Sequence, residues 1–414
     1  MHKPLVISRS FLLEKSATGQ IQRFFWEYLY NDGIRPTIIC TKNRKKENAK
    51  GPLNCNVIPT YDSHFVKQLF RIIKHTIYSD IDKNPDSLYY SWGKLSAFKK
   101  AKEEAIKGNY DYIESIQLPG TSHLIALEAK KASGLPWIAS FYDPWYDNPL
   151  RPIKHLSLRE KDKRREALIA QNADAIIHTN QAIYDEWVER YGESIKEKMF
   201  VLPLVFNPPK RENVVNVIDD NKEKKYNISH IGTLYLDRTS VDFLKAIRLM
   251  LDNHPELRSM FIVNYVGTVT PKDKEFIEEN GLSDIVNFAG FLKEADCNNY
   301  YEKSDLFLAI DAKTARNIFF PSKIMKYFFY RKPILGMTPP GSALQYELEK
   351  SHNYVFGNEE TESIANFLYH AITDNKYLAG FDIDYWKNYT MEYVAPQYFS
   401  IVERVLNRIK VCYK

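Results

Sequence analysis

The sequence predicts an α/β protein made of two doubly wound domains, each a parallel sheet covered by helices. Three observations carry that expectation. Short apolar runs alternate with stretches of helical apolar spacing through residues 4–206, and the alternation restarts near Tyr226. Between the two series lies a segment of breakers and charge, Asn207-Pro208-Pro209-Lys210 followed by Asp219-Asp220 and Lys222 to Lys225. The length of 414 residues, with 44% hydrophobic and 26% charged residues, suits two globular domains with sizeable cores.

The elements follow in order. Pro4 to Ser8 reads as a strand, a loop holding Gly19 leads into a helix over Ile21 to Tyr30, and Asn31-Asp32-Gly33 ends it before a second strand at Thr37 to Cys40. Tyr110 to Ile116 is the next strand, His123 to Ala132 a helix closed by Gly134, and Trp137 to Phe141 a strand running into Asp143-Pro144-Trp145. Ala173 to Thr179, a helix over Ala182 to Tyr191 stopped by Gly192, and Phe200 to Leu202 complete the first domain, residues 1–206. Residues 207–225 form the linker. The second domain, 226–385, opens with Tyr226 to Ile231 and a turn at Gly232. It continues through Ser240 to Asp252 (helix), Met260 to Val266 (strand), Asp273 to Asn280 (helix), Val286 to Phe288 (strand), Ala295 to Lys303 (helix) and Leu306 to Ile310 (strand). Pro321-Ser322-Lys323 opens a further helix, and Pro333 to Gly336 is the strand after it. Residues 386–414 read as one or two amphipathic helices with no following strand, so they pack elsewhere than in the sheet.

Composition excludes several classes. A net charge of +5 is weaker than a nucleic-acid binder shows, and the densest basic runs, Lys42 to Lys50 and Arg159 to Arg165, suit solvated loops or helix faces. Cys40, Cys55, Cys297 and Cys412 are far apart with no CxxC pair, which argues against zinc or a disulfide framework. No apolar run approaches the roughly 18 to 20 residues needed to span a bilayer, so the expected location is the cytoplasm. The segment Phe65 to Ile77 has basic and apolar faces. It is either a surface helix packed on its domain or a peripheral contact with an anionic membrane.

Several motifs occur in an order that carries a resemblance. In the first half they are Tyr110-Asp111-Tyr112-Ile113, Pro119-Gly120-Thr121-Ser122-His123-Leu124-Ile125-Ala126-Leu127, Gly134-Leu135-Pro136-Trp137-Ile138-Ala139 and Asp143-Pro144-Trp145. In the second half they are His230-Ile231-Gly232-Thr233-Leu234-Tyr235 with Arg238, Val286 to Gly290 with Tyr300 and Asp305, Phe320-Pro321-Ser322-Lys323, and Lys332-Pro333-Ile334. From about residue 5 to residue 350 the chain resembles the family 4 glycosyltransferases that build bacterial surface glycans. The resemblance implies a GT-B fold, with two Rossmann-like domains facing a cleft and the C-terminal helices packing back toward the N-terminal domain. It also implies retaining transfer from a UDP- or GDP-linked sugar to a glycan or lipid-linked glycan acceptor, in the cytoplasm or at the inner face of the cell membrane.

The donor residues make sense as anion chemistry. Open amides at a helix start cradle phosphates, and Ser322-Lys323 stand at one. Lys323 supplies a point charge, Arg238 a bidentate fork, and Gly232 lets phosphates approach the backbone. Thr233 and Gly290 belong to the same donor side by resemblance, and Gly19 is either a strand-end turn or a second phosphate approach. The bland alternative for Ser322 and Lys323 is a helix cap and a solvated lysine. Two positions depart from the family pattern: Lys326 stands where a carboxylate usually binds the ribose, and Phe319 where a glutamate is common. Asp311 or Glu347 are the acids left to approach. These departures keep open a non-catalytic nucleotide- or glycan-binding protein beside an active transferase, and the two-domain outline also admits a sugar-nucleotide epimerase. No metal and no tightly bound cofactor are expected: positive side chains replace the cation, and Asp219-Asp220 lies in the linker.

On the acceptor side, Asp143 follows a strand carboxyl end, where catalytic groups of α/β folds project, and is the leading catalytic candidate. Tyr142 occupies a position where relatives carry a histidine, and its expected role is positioning. His123 either hydrogen-bonds a sugar or is a structural partner, and Trp145 and Tyr146 either stack on a sugar or join the core.

Overall fold

The computed structural model describes residues 2–13, 16–42, 55–69, 88–146, 148, 156–208, 225–235, 237–314, 317–374 and 376–412. Most of the linker, with Asp219-Asp220, residues 43–50 of the first basic run and residues 70–77 of the basic amphipathic segment lie outside the described residues; residues 64–69 are helical. Met1–Asn207 together with Asn388–Lys414 form one compact unit, and Pro208–Lys387 form a second.

The first unit contains β1 (Pro4–Ile7), α1 (Ala17–Asn31), β2 (Thr37–Thr41), β3 (Asn56–Thr60), a π-helical stretch Tyr89–Ala97 running into α2 (Phe98–Ile106), β4 (Tyr112–Ile116), α3 (Thr121–Ser133), β5 (Trp137–Phe141), α4 (Leu156–Asn172), β6 (Ala175–His178), α5 (Gln181–Tyr191) and β7 (Met199–Val201). The second contains β8 (Tyr226–Ile231), α6 (Val241–Asn253), β9 (Phe261–Val266), α7 (Pro271–Glu279), β10 (Val286–Gly290), α8 (Glu294–Lys303), β11 (Leu306–Ile310), α9 (Ile324–Phe329), β12 (Ile334–Met337), α10 (Ala343–Lys350), β13 (Tyr354–Phe356) and α11 (Thr361–Thr373). After a 3-10 turn at Tyr385–Tyr389, α12 (Met391–Cys412) ends the chain.

The sheets are wholly parallel and share one topology. Their orders are β3-β2-β1-β4-β5-β6-β7 and β10-β9-β8-β11-β12-β13. In each, the first strand of its unit lies beside the fourth, so the winding reverses there, the place where sheets of this kind bind ligands beyond their carboxyl strand ends. Strands covered on both faces read as continuous apolar runs, and Leu306–Ile310 and Trp137–Phe141 are buried at every position. Local chemistry sets the helix starts. Ser16 accepts the Gly19 N–H ahead of α1, and Thr270 with Asp273 form a capping box on α7. Gly19 therefore sits in the first turn of α1 rather than in a loop before it.

The tail closes the first unit's core. Val394, Tyr398, Ile401, Val402 and Val405 of α12 pack with Phe25, Trp26 and Leu29 of α1 and Tyr112 of β4. Tyr398 meets Phe25 edge-on at 5.1 Å and Trp26 at 6.0 Å. Each large side chain buried this way contributes about 1.5–3 kcal/mol. Among the described residues no helix is long and apolar enough to cross a membrane.

Candidate functional site

The second unit concentrates charge at its winding reversal. β8 and β9 are each followed directly by glycine (Gly232, Gly267), and β10 ends on Gly290. The Gly232 N–H donates to the Val266 carbonyl at 2.7 Å, and the Gly267 N–H to the Gly290 carbonyl at 2.7 Å. Gly232 has φ +150° and Gly267 φ +129°. A Cβ on Gly267 would lie 2.3 Å from the Gly232 carbonyl oxygen, and one on Gly232 would lie 2.8 Å from Lys323 Nζ. The strand ends thus form a bare backbone floor on which Lys323 rests.

Lys323 stands at the N-cap position of α9, its side chain making no capping bond. Its Nζ lies 3.1 Å from His230 Nε2, and His230 Nδ1 lies 2.9 Å from the Leu308 carbonyl oxygen on the adjoining strand β11. Burial, then the Arg238 charge, pulls the Lys323 amine down to about 7, with Asp311 acting in the opposite sense. Burial followed by the Lys323 charge drives His230 well below the usual imidazole range. Arg238 lies over the Tyr235 ring at 5.3 Å and reaches the fully buried Asp311 at 3.5 Å. The second Asp311 oxygen accepts from Thr338 Oγ1 at 2.8 Å. Burial outweighs Arg238 and pushes the Asp311 carboxyl up.

Lys323, Arg238 and Gly232 thus come together from positions up to 91 residues apart, with His230 and Asp311 added by the fold. Thr233, Ser322 and Gly290 are exposed on the same unit. Of the two acids considered as ribose partners, Asp311 belongs to this cluster, while Glu347 accepts from the Tyr385 hydroxyl at 2.7 Å. Lys326 lies 6.0 Å from the centre of the Tyr301 ring. His230 stood in the quoted motif with no role assigned, and its pairing with Lys323 across 93 residues is a tertiary event without a local signal.

The first unit gives a different picture. Gly19 is buried, and a Cβ there would lie 2.4 Å from the Ser10 carbonyl oxygen, so the glycine lets α1 pack on its own loop. His123 is wholly buried. Trp137 Nε1 donates to Ser115 Oγ at 2.7 Å, which turns the serine hydroxyl hydrogen toward His123 Nδ1, also 2.7 Å away. The ring lies 4.2 Å from Phe141, and burial lowers its pKa to about 3, so it is a neutral core histidine with no surface to offer a ligand. Trp145 is likewise in the core. Tyr146 is partly buried beneath the Arg190 guanidinium, 4.9 Å from its ring centre. Asp143 is partly buried past the end of β5, its N–H donating to Gln117 Oε1 at 3.2 Å. Tyr142 lines a cavity of about 30 Å³ with Glu114, Ser140, Thr179 and Tyr398, and burial, then Glu114, raises its hydroxyl pKa. Glu114 accepts from Ser140 at 2.9 Å and from Tyr398, and burial pushes it up to about 7.

Two parallel Rossmann-like sheets of seven and six strands, in this order, define the class: the chain has the GT-B fold. Solved structures agree over its whole length. The sucrose-phosphate synthase of Thermosynechococcus elongatus superposes with a TM-score of 0.68 at 13% identity, covering 99% of this chain and 100% of that one. Anabaena HepE in complex with UDP and glucose gives 0.60 at 14% identity, covering 100% and 99%. The lipopolysaccharide outer core galactosyltransferase WaaB gives 0.54 at 13% identity, covering 94% and 98%. No protein-family model matches the chain, and neither does any curated protein.

Proposed function

We propose that the protein is a glycosyltransferase that moves a sugar from a nucleotide-diphosphate donor, UDP- or GDP-linked, to a hydroxyl of a growing or lipid-linked surface glycan. The observation that carries this reading is the cationic cluster at the reversal of the second sheet, with Lys323 Nζ over the Gly232 turn and Arg238 held by Asp311. Lys323 and Arg238 grip the diphosphate and stabilise charge on the departing nucleotide, the role a bound cation would fill. Thr233, Ser322 and Gly290 line the approach. Asp143, with Tyr142 positioning, serves the acceptor side, and transfer retains anomeric configuration, as in the family the sequence resembles. HepE's complex with UDP and glucose supports the donor class, and WaaB's activity on lipopolysaccharide core supports the acceptor class. The proposed place of action is the cytoplasmic side of the cell membrane.

Lys323→Ala or Arg238→Ala is expected to abolish donor hydrolysis and transfer while the protein stays folded. Wild-type rates in both variants would end the assignment. Lys326 and Phe319, in place of the usual acids, favour one second reading, a nucleotide- or glycan-binding protein without turnover. Calorimetric binding of a nucleotide with no reaction across a broad donor and acceptor panel would select it.

A further inference from the structure

Two side chains that both become cations on protonation face each other at 3.1 Å beside the strand ends of the second unit, Lys323 Nζ and His230 Nε2. His230 is fully buried, and its Nδ1 points at the Leu308 carbonyl oxygen. A carbonyl only accepts, so Nδ1 carries the proton and Nε2 turns a lone pair toward the amine. The imidazole is a neutral acceptor. A carboxylate in its place would hold Lys323 equally well but would neutralise it, leaving less charge for an anionic ligand.

The charged and titratable neighbours come from every element around the amine. His230 lies on β8, Arg238 on the loop after it, Asp311 past β11, and Lys326 and Tyr327 on α9, where the Tyr327 hydroxyl accepts the Ile231 N–H at 2.8 Å. Asp311 is drawn to Arg238 and Thr338. The amine is therefore crowded by the Arg238 guanidinium, offset in part by Asp311, and braced by the neutral His230 acceptor.

Resting on the donor-site reading above, we propose that His230 is the positioning residue for Lys323, and that a nucleotide diphosphate entering the site brings one proton onto the Lys323 amine. The proton comes from solvent: the neutral amine becomes an ammonium, and no bond to the ligand forms or breaks. Burial and Arg238, which pull the free amine to about 7, leave it largely unprotonated in mildly alkaline solution. A diphosphate reverses that balance by adding negative charge. Because the ligand then prefers the protonated protein, affinity falls as pH rises above the free amine's pKa, by about tenfold between pH 7 and 8.5.

The test is isothermal titration calorimetry of the full chain with UDP and with GDP at pH 7 and 8.5, in two buffers of different ionisation enthalpy. Uptake approaching one proton at pH 8.5 and the tenfold loss of affinity are expected. His230→Gln keeps a neutral acceptor and retains both effects, whereas His230→Phe removes the acceptor and weakens binding by about tenfold or more. Nucleotide binding without proton uptake, or a His230→Phe variant that binds like wild type, overturns this proposal and leaves the donor site standing. Absence of binding by either nucleotide overturns both.

Discussion

Substituting Gly232 and Gly267 separates the role of the strand-end floor in folding from its role in binding. At Gly232 a methyl group would stand 2.8 Å from Lys323 Nζ and 3.1 Å from its Cδ, on a backbone with φ +150°. Ordinary contact begins near 3.4 Å, so the amine is displaced by about 0.6 Å, the difference between 3.4 and 2.8 Å. The obstacle is the end of a flexible side chain, so the folding penalty of Gly232→Ala is chiefly backbone strain, about 1–2 kcal/mol. For a unit of this size that lowers Tm by roughly 2–8 °C. Losing the charge-assisted contact from Lys323 weakens nucleotide binding by about 10- to 100-fold. At Gly267 the methyl would meet the Gly232 carbonyl, 2.3 Å from its oxygen and 2.7 Å from its carbon. Backbone cannot swing away, so Gly267→Ala separates β8 from β9 and costs about 2–5 kcal/mol. Differential scanning calorimetry ranks the stabilities, and titration with UDP and GDP measures the affinities. A Gly232→Ala protein that binds like wild type, or a Gly267→Ala protein more stable than Gly232→Ala, would refute the reasoning.

Three further outcomes follow from the first unit. Burial raises Glu114 from 4.5 to about 7, so the folded state holds its proton longer than the unfolded chain. This group's stabilisation is full below about pH 4.5 and is lost as pH rises to about 7, by at most about 3 kcal/mol. Glu114→Gln should flatten that part of the Tm profile and raise Tm at pH 8; an unchanged profile would contradict the burial argument. Tyr398→Phe removes the hydroxyl shared by Glu114 and Tyr112, and is expected to lower stability by about 1–3 kcal/mol in chemical denaturation. A chain ending at Lys387 lacks α12 and exposes the surface that Val394, Tyr398 and Val402 cover, so it should aggregate on expression; a soluble, cooperatively folded truncation would show the tail to be dispensable.

The fold was legible where burial writes a simple pattern. Leu306–Ile310, buried at every position, is an unbroken apolar run and Trp137–Phe141 is broken only by Ser140, so both strands begin and end where the runs do. Tyr226–Ile231, by contrast, carries Asn227, Ser229 and His230 and is marked by its place before Gly232. What escaped lacks that pattern. β3, Asn-Val-Ile-Pro-Thr at the sheet edge, buries only Thr60 fully, leaves Asn56 and Pro59 exposed and carries little apolar signal. α4 carries the Arg159 to Arg165 run and lacks an apolar stripe, because its buried positions are Asp162 and Glu166 as well as Ile169 and Ala170. Glu166 is held by Tyr191 at 2.9 Å and by Arg190, partners no local periodicity discloses. In the second unit the order of motifs flagged Gly232, Arg238 and Lys323, because each residue type announces its own chemistry. The sequence could not show that β8 lies against β11, and that adjacency puts the Leu308 carbonyl on His230 and Asp311 beside Arg238.

The claim that Lys323 and Arg238 hold a nucleotide diphosphate is tested most directly by thermal denaturation of wild type, Lys323→Ala and Arg238→Ala with UDP and with GDP. At a hundred times the dissociation constant a ligand bound only by the folded protein adds about 2.7 kcal/mol, raising Tm by roughly 5–10 °C. Wild type should show that rise with one of the two nucleotides and both variants should lose it. An equal rise in all three proteins, or none in wild type, would contradict the assignment.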